Sequence, residues 1–337
     1  MRILALLILH LCLATGAFAD TAPPVGFRTL NASGLEAKVW YPTASTAPIT
    51  RLAENPVFVG VPVVEDAPVA EGLHPVALLS HGYSGLWRNQ AWLAEALAQA
   101  GYIAVAFDHP GTSFGNMEPD WAAHLVRRPQ QVSQVLDTLL ADATFGARVD
   151  HAHISVIGHS LGGSTALFLA GAVFDPARLF DACGDSSDKI VCTLYRTGGL
   201  APSQPPVSAR DPRVTAIVLL DMEGIRAFAP DSLAGLPVPV LALVSGVEDP
   251  GLPLGWEGRA QSALLPPATS RYAEVIGATH FSFMSLCKPG AEALLGDDAY
   301  VCQGETVPRA ELHRDIARTV INFLRSDTRL VSRLQSL

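Results

Sequence analysis

The sequence predicts a single α/β domain in which a mostly parallel sheet carries helices on both faces. From about residue 74 onward, short apolar runs suited to buried strands alternate with segments of helical periodicity. This alternation implies right-handed crossovers between parallel strands. The chain has 337 residues, 49% of them hydrophobic, so it can bury one large core. Within the pattern, GHSLG forms a strand-turn-helix motif centred on Ser160.

Apolar runs and helical periodicity predict the individual elements in chain order. The segment 43–73 is rich in Pro, Ala and Val, and we expect a loosely built connection there. Strands are predicted over residues 35–41, around 57–64, and over 76–79, 102–107, 153–157, 214–220, 238–244 and 271–276. Helices are predicted over residues 89–100, 130–140, 161–173 and 309–325.

The first 19 residues are predicted to be a cleavable signal peptide. An apolar run over residues 3–13 follows Met1 and Arg2, and residues 17–19 read Ala-Phe-Ala, a small-x-small cleavage pattern. The run is too short to span a bilayer, and no later segment reaches transmembrane length. We therefore expect a secreted or periplasmic protein whose mature domain covers residues 20–337.

Four cysteines remain once Cys12 has left with the signal peptide. An even number in an oxidising compartment favours disulfides, and three pairings are possible. We prefer the pairing that closes short loops, Cys183 with Cys192 and Cys287 with Cys302. No Cys-x-x-Cys pattern or clustered histidines accompany these cysteines, so we expect no metal site.

Ser160 is the predicted nucleophile. A serine hydroxyl is a poor nucleophile, so it must stand on a sharp turn where a histidine takes its proton. Gly158 and Gly162 make that turn possible, because a Cβ at either position would crowd the adjoining strand or helix. The simpler alternative is a serine that only caps the following helix.

Backbone N–H groups that bind an oxyanion are expected from two segments. Leu161 directly follows Ser160, and Tyr83 lies in SHGYSG, the turn after the strand at residues 76–79. A His-Gly turn at this point typically supplies the second donor in an α/β-hydrolase. The alternative is a plain strand-to-helix loop.

His280 is the predicted general base, because it follows the last strand and completes the order Ser, acid, His. The acid holds the Nδ1 proton of that histidine. Asp221 and Asp249 both follow strands between Ser160 and His280. The sequence pattern leaves both acids open.

Residues 175–213 interrupt the alternation with polar, Gly- and Pro-rich sequence. A long excursion in a compact domain is typically a functional lid or a disordered insert. Because it contains the predicted pair of Cys183 and Cys192, we expect an ordered flap near the active site.

Four stretches carry a family resemblance: LLSHGYSG, AVAFDHPGTS, GHSLGGS and IVLLDMEG. Together, from about His74 to His280, they resemble the platelet-activating-factor acetylhydrolases and related secreted bacterial hydrolases, often labelled dienelactone-hydrolase-like. The resemblance implies an α/β-hydrolase fold and a serine esterase acting on short-chain or lipid-derived esters. The acetylhydrolase pattern places the acid at Asp221, which we prefer, whereas the commoner α/β-hydrolase pattern fits Asp249. True dienelactone hydrolases use cysteine where this chain has Ser160.

The predicted function is therefore hydrolysis of small-molecule carboxylic esters through an acyl-enzyme, without cofactor or metal. The net charge of -9 argues against nucleic acid as a partner. Alternatives are a polyesterase or lipase acting on surface-bound substrates, a peptidase, and a non-catalytic binding protein with a hydrolase fold. Aromatic side chains are candidates for lining an apolar site: Tyr83, Trp87, Trp121, Phe281 and Phe283.

Overall fold

The computed structural model describes residues 22–185, 189–249 and 251–326. The predicted signal peptide over residues 1–19, and the predicted mature N-terminus at Asp20, lie outside these ranges. Within them, no helix combines the length and the apolar character needed to cross a bilayer.

The described residues form twelve strands, ten of them in one sheet with the order β12-β11-β10-β9-β5-β6-β2-β1-β4-β3. Six neighbouring strands, from β12 to β6 in that order, run parallel, and β2 joins β6 antiparallel. The sheet strands are β1 (Val25–Ala32), β2 (Leu35–Pro42), β3 (Thr50–Leu52), β4 (Val61–Glu65), β5 (His74–Ser80), β6 (Ile103–Ala106), β9 (Val149–His159), β10 (Ala216–Leu220), β11 (Val240–Ser245) and β12 (Ser270–Val275); β7 (Thr112–Ser113) and β8 (Asn116–Met117) form a small hairpin.

Helices cover both faces of the sheet, as the alternation of elements predicts. In the described residues they are α1 (Ala91–Gln99), α2 (Arg127–Ala141), α3 (Leu161–Ala170), α4 (Pro176–Cys183), α5 (Ile190–Thr197), α6 (Pro230–Ala234), α7 (Gly258–Leu264), α8 (Ala291–Leu295) and α9 (Arg309–Arg325). Alternate residues of β5 divide between two apolar cores. Val76 and Leu78 join α2 and α3, while Ala77 and Leu79 join α1 and α9. This arrangement confirms the predicted α/β architecture.

The register of the parallel strands brings their carboxyl ends to one edge. Ser80 of β5 is opposite Gly158 of β9, and Leu220 of β10 lies between His159 and Leu243. The residues that follow these strands therefore meet at the same edge, which is the ligand side of a parallel sheet.

Several elements differ from the sequence-based expectation. Helix α3 ends at Ala170 and not near residue 173, because Gly171 has φ 102° and closes the helix in the left-handed conformation. Helix α2 begins at Arg127, since Pro129 fits within a first turn that needs no backbone donor. Strand β1, paired along its length with β2, was not predicted.

Residues 175–213, which we expected to form an ordered flap, contain two helices, α4 and α5. The disulfide Cys183–Cys192 joins them, and Asp175 caps α4 by accepting a hydrogen bond from the Ala177 N–H at 3.0 Å. The structure also joins Cys287 to Cys302. Both bridges match the cysteine pairing that we preferred from the sequence.

Candidate active site

Ser160 occupies a strained turn between β9 and α3. Its backbone has φ 54° and ψ -121°, a conformation that costs a non-glycine residue about 1–3 kcal/mol and persists where its surroundings impose it. Two hydrogen bonds do so: the Ser160 N–H donates to the Leu220 carbonyl at 3.0 Å, and the Gly163 N–H donates to the Ser160 carbonyl at 2.8 Å. The turn places the serine at the carboxyl edge of the sheet.

The glycines around Ser160 allow three backbone segments to touch. A Cβ on Gly158 would lie 1.9 Å from the Gly162 carbonyl oxygen, and a Cβ on Gly162 would lie 1.9 Å from the Ser80 carbonyl oxygen. Neither distance is compatible with an atom at that place, so both positions require glycine. The turn is thereby pressed directly against the end of β5.

His280 is paired with Asp221. The Nδ1–H of His280 donates to Asp221 Oδ2 at 2.7 Å, and Asp221 Oδ1 accepts a second hydrogen bond from the Ser245 N–H at 2.6 Å. Both side chains are buried, with relative exposures of 6% and 3%. Burial alone would raise the pKa of Asp221, but its hydrogen bonds and the charge of His280 outweigh that effect and lower the pKa. The carboxylate is therefore ionised at neutral pH.

Asp249, the alternative acid, has a different role in the described residues. Its Oδ1 accepts a hydrogen bond from the Gly251 N–H at 2.8 Å and so organises the loop after β11. The structure brings Asp221, and not Asp249, into hydrogen-bonding contact with His280.

His159 connects the serine turn to the histidine loop, a contact that sequence reasoning missed. Its Nε2–H donates to the His280 carbonyl at 2.9 Å, and the two rings lie 4.8 Å apart. Burial, followed by the charge of His280, lowers the pKa of His159 to about 3, so the ring stays neutral. The residue next to Ser160 thus holds the backbone of His280 in place.

The segment that contains Tyr83 lies against Ser160. A Cβ on Gly82 would be 3.0 Å from Ser160 Cβ and 3.5 Å from its Oγ. Leu161 is the first residue of α3, and the first N–H groups of a helix have no acceptor within it. The backbone of both candidate oxyanion donors is therefore beside the serine.

A buried pair of glutamic acids lies behind the triad candidates and was also missed. Glu223 Oε1 is 3.7 Å from His280 Nδ1, and Glu257 Oε2 accepts a hydrogen bond from the Gly224 N–H at 2.8 Å. Burial raises the pKa of Glu257 to about 8. Burial and the neighbouring Glu257 also raise the pKa of Glu223. Glu257 is therefore mostly protonated near neutral pH.

Three of these side chains have the chemistry of metal ligands. Asp221, Glu223 and His280 each offer a ligand atom, all within 4.8 Å of one another. A cation there would take Nδ1 of His280, the atom that already donates to Asp221. Metal binding would therefore compete with the His–Asp pair and would not support it.

The aromatic candidates separate into two groups. The ring of Tyr83 packs against that of Trp121 at a tilt of 51°, with centroids 5.1 Å apart, and the Trp121 ring lies 5.3 Å from that of Tyr195 in α5. The helical insertion therefore packs beside the Tyr83 segment. Phe281 adjoins His280 at 5.2 Å. By contrast, Phe283 is fully buried in the core, and Trp87 packs on Trp40 of β2, with ring centroids 5.8 Å apart.

The mostly parallel sheet covered on both faces, with a serine on a strained strand-to-helix turn at its carboxyl edge, defines the α/β-hydrolase fold. A solved structure with this architecture is that of a ferulic acid esterase from Streptomyces cinnamoneus. It aligns with a TM-score of 0.62 over 92% of this chain and 91% of that chain, at 21% sequence identity. At this identity the likeness concerns the fold alone.

Part of the sequence is similar to cutinases. Cutinase est1 of Thermobifida alba is 35% identical over 94 residues, or 27% of this chain and 29% of that protein. Cutinase 2 of Thermobifida cellulosilytica is 33% identical over 94 residues, covering 27% and 32%. The match therefore spans less than a third of these relatives. No protein-family model matches the chain, and the resemblance to platelet-activating-factor acetylhydrolases stays a prediction.

Proposed function

We propose that this protein is a serine carboxylic-ester hydrolase that works through an acyl-enzyme, with Ser160, His280 and Asp221 as its catalytic triad. The observation that carries the proposal is the 2.7 Å hydrogen bond between His280 Nδ1 and Asp221 Oδ2. It lies at the sheet edge where Ser160 is held on its positive-φ turn. The partial similarity to cutinases supports the same class of reaction.

In this proposal each group carries out one step of the reaction. With Nδ1–H donating to Asp221, the Nε2 atom of His280 is unprotonated and takes the proton of Ser160 as its oxygen attacks the ester carbonyl. The ionised carboxylate stabilises the imidazolium that results. The N–H groups of Leu161 and Tyr83 bind the oxyanion.

Collapse of the tetrahedral intermediate breaks the bond to the alcohol oxygen, and His280 returns its proton to that leaving group. Water then attacks the acyl-enzyme with His280 as base, and a second collapse releases the acid and restores the Ser160 hydroxyl.

Replacing Ser160 with Ala tests the assignment. Alanine removes only the hydroxyl, so the variant should fold with an unchanged circular dichroism spectrum while ester turnover falls to the residual level of oxyanion binding alone. Retained turnover would contradict the nucleophile. If neither wild type nor Ser160→Ala turned over esters, and wild type did not react with a fluorophosphonate, the non-catalytic binding alternative would be supported instead.

For the substrate we propose short-chain esters, including lipid-derived ones, as the resemblance to acetylhydrolases implies. The cutinase similarity favours a second candidate, a polyesterase acting on a surface-bound polymer. A panel of p-nitrophenyl esters of graded chain length, run beside polyester films and lipid emulsions, separates the two. Turnover of soluble esters with none on films or emulsions would exclude the second candidate. Turnover of a matched amide would identify peptidase activity.

We further propose that the protein acts outside the cytoplasm, after removal of residues 1–19. Its two disulfides support this, because such bonds persist in oxidising compartments. N-terminal sequencing of protein exported by a host cell should begin at Asp20. A retained Met1 would contradict the proposal.

A further inference from the structure

Arg128 of α2 is a buried cation with only neutral partners. Its relative exposure is 2%, and no carboxylate in the described part of the chain accepts a hydrogen bond from it. Its guanidinium donates to four oxygen atoms: Thr165 Oγ1 at 3.0 Å, Thr112 Oγ1 at 2.5 Å, Ser80 Oγ at 3.1 Å and the His81 carbonyl.

Three of these acceptors lie on the two segments next to Ser160, and the fourth, Thr112, lies on β7. Ser80 and His81 directly precede Gly82 and Tyr83. Thr165 lies one turn after Leu161 in α3, and its hydroxyl donates to the Leu161 carbonyl at 3.4 Å. The guanidinium therefore joins the segment that carries one proposed oxyanion donor to the helix that begins with the other.

The contact between Arg128 and Thr112 also supports the loop that contains Tyr83. Thr112, held by Arg128, accepts a hydrogen bond from the Ser84 N–H on its carbonyl at 3.0 Å. His81 accepts from the His109 N–H on Nε2 at 3.0 Å and donates from Nδ1 to the Gly82 carbonyl at 2.8 Å. Burial, followed by the charge of Arg128, lowers the pKa of His81 to about 3. That ring is therefore neutral and keeps this hydrogen-bond pattern.

A buried charge without a counter-ion is costly, and even buried ion pairs can often be replaced by apolar residues of similar volume without loss of stability. The planar guanidinium nevertheless fits this site, because its fixed fork reaches acceptors on several segments at once. Its placement therefore calls for a role other than packing.

We propose that Arg128 is a positioning residue for the oxyanion hole, fixing the Tyr83 N–H relative to the Leu161 N–H. This inference rests on the proposed function. Arg128 does not touch substrate and acts through the hydrogen bonds to Ser80, His81 and Thr165. Its loss should weaken binding of the transition state far more than binding of the ester.

The variant Arg128→Met tests the proposal, with Arg128→Lys as the conservative partner. Direct loss of one oxyanion donor lowers kcat by about 10²–10³, so an indirect loss of alignment should lower kcat by about 10- to 100-fold. We expect KM to change less than about threefold, and the inhibition constant of a boronic acid to rise in parallel with the loss of kcat. Lysine keeps the charge but reaches fewer acceptors, so kcat and the boronate inhibition constant of Arg128→Lys should lie between those of Arg128→Met and wild type.

Val135→Ala is the matched control. It removes buried volume from the same helix, two turns further on, and its side chain has no polar atom that could hydrogen-bond to either oxyanion segment. Its unfolding temperature should fall while kcat and the boronate inhibition constant stay at the wild-type values. Should Arg128→Met not fold, Thr165→Val removes one acceptor at constant shape and should produce a smaller parallel loss of kcat and boronate affinity.

The outcomes distinguish this inference from the proposed function. Fluorophosphonate labelling of wild-type Ser160, absent in Ser160→Ala, establishes the nucleophile independently of Arg128. With labelling established, equal kcat and equal boronate inhibition in Arg128→Met and wild type would overturn the positioning role. So would equal losses in Val135→Ala and Arg128→Met. Failure of wild type to react at all would overturn both proposals.

Discussion

The substitution Asp221→Asn should trap His280 in the wrong tautomer. Asp221 accepts two hydrogen bonds, one from the Ser245 N–H at 2.6 Å and one from His280 Nδ1 at 2.7 Å. The asparagine side chain has one oxygen and one NH₂ group. Because the Ser245 backbone can only donate, the oxygen turns toward it and the NH₂ group faces Nδ1. The imidazole then carries its proton on Nε2 and cannot accept one from Ser160.

The expected loss in kcat is about 10⁴-fold, equivalent to about 5 kcal/mol of activation free energy. It is measured from initial rates on p-nitrophenyl butyrate, with Asp249→Asn as the control. Asp249 contacts the Gly251 N–H and not His280, so its substitution should change kcat less than about threefold. A larger loss for Asp249→Asn than for Asp221→Asn would refute the assignment of the acid.

Glu223 gives the residual activity of Asp221→Asn a distinctive pH dependence. Its Oε1 is 3.7 Å from His280 Nδ1, and burial, followed by the charge of the neighbouring Glu257, raises its pKa. As the pH rises through that raised pKa, the carboxylate becomes able to accept the Nδ1 proton. The residual rate should therefore increase with pH, and the double variant Asp221→Asn/Glu223→Gln should lose the increase. A flat profile in the single variant would contradict this role of Glu223.

Three further predictions concern stability and the serine turn. Burial raises the pKa of Glu257 to about 8 in the folded protein, so the native state binds more protons than the unfolded state between about pH 4.5 and 8, and stability falls as the pH rises through that range. Glu257→Gln should therefore raise the unfolding temperature more at about pH 9 than at about pH 5. An equal rise at both pH values would contradict this role of Glu257. Gly162→Ala should abolish ester turnover because its Cβ would meet a backbone oxygen at 1.9 Å, whereas Gly255→Ala, with nothing within 4 Å, should match wild type in the same assay. Replacing both Cys287 and Cys302 with Ser opens a bridge of sequence separation 15 and should lower the free energy of unfolding in urea by about 3 kcal/mol; an unchanged value would show that the bridge adds no stability.

The sequence was sufficient to predict the sheet and the approximate position of the serine turn, because both are encoded locally. Buried parallel strands read as short apolar runs, and Gly158 and Gly162 mark the turn around Ser160. Strand β1 was missed because it is neither a continuous apolar run nor a strict alternation, since Arg28 and Thr29 are adjacent polar residues.

Chain order alone left the acid open, because Asp221 and Asp249 both follow parallel strands. Only the family resemblance favoured Asp221. In the structure Asp221 accepts a hydrogen bond from His280, whereas Asp249 accepts one from the Gly251 N–H. No such contact could be read from chain order.

The supporting groups were missed for a related reason. Arg128 lies in an ordinary amphipathic helix, and Glu223 in a polar turn, where charged residues are usually exposed. Their burial arises from packing of distant segments, over sequence separations of 48 between Arg128 and Ser80 and 33 between Gly224 and Glu257. A cluster of Ser, Thr and His around one arginine has no fixed spacing that a motif can record.

Trapping the covalent intermediate tests directly whether Ser160 forms an acyl-enzyme. Wild-type protein is mixed with an excess of a p-nitrophenyl ester that deacylates slowly, quenched in acid during turnover, digested, and analysed by mass spectrometry. The acyl mass should appear on the peptide that contains Ser160, and it should be absent from the same peptide of Ser160→Ala. Steady hydrolysis with no acylated peptide, or with the acyl group on another residue, would contradict the account.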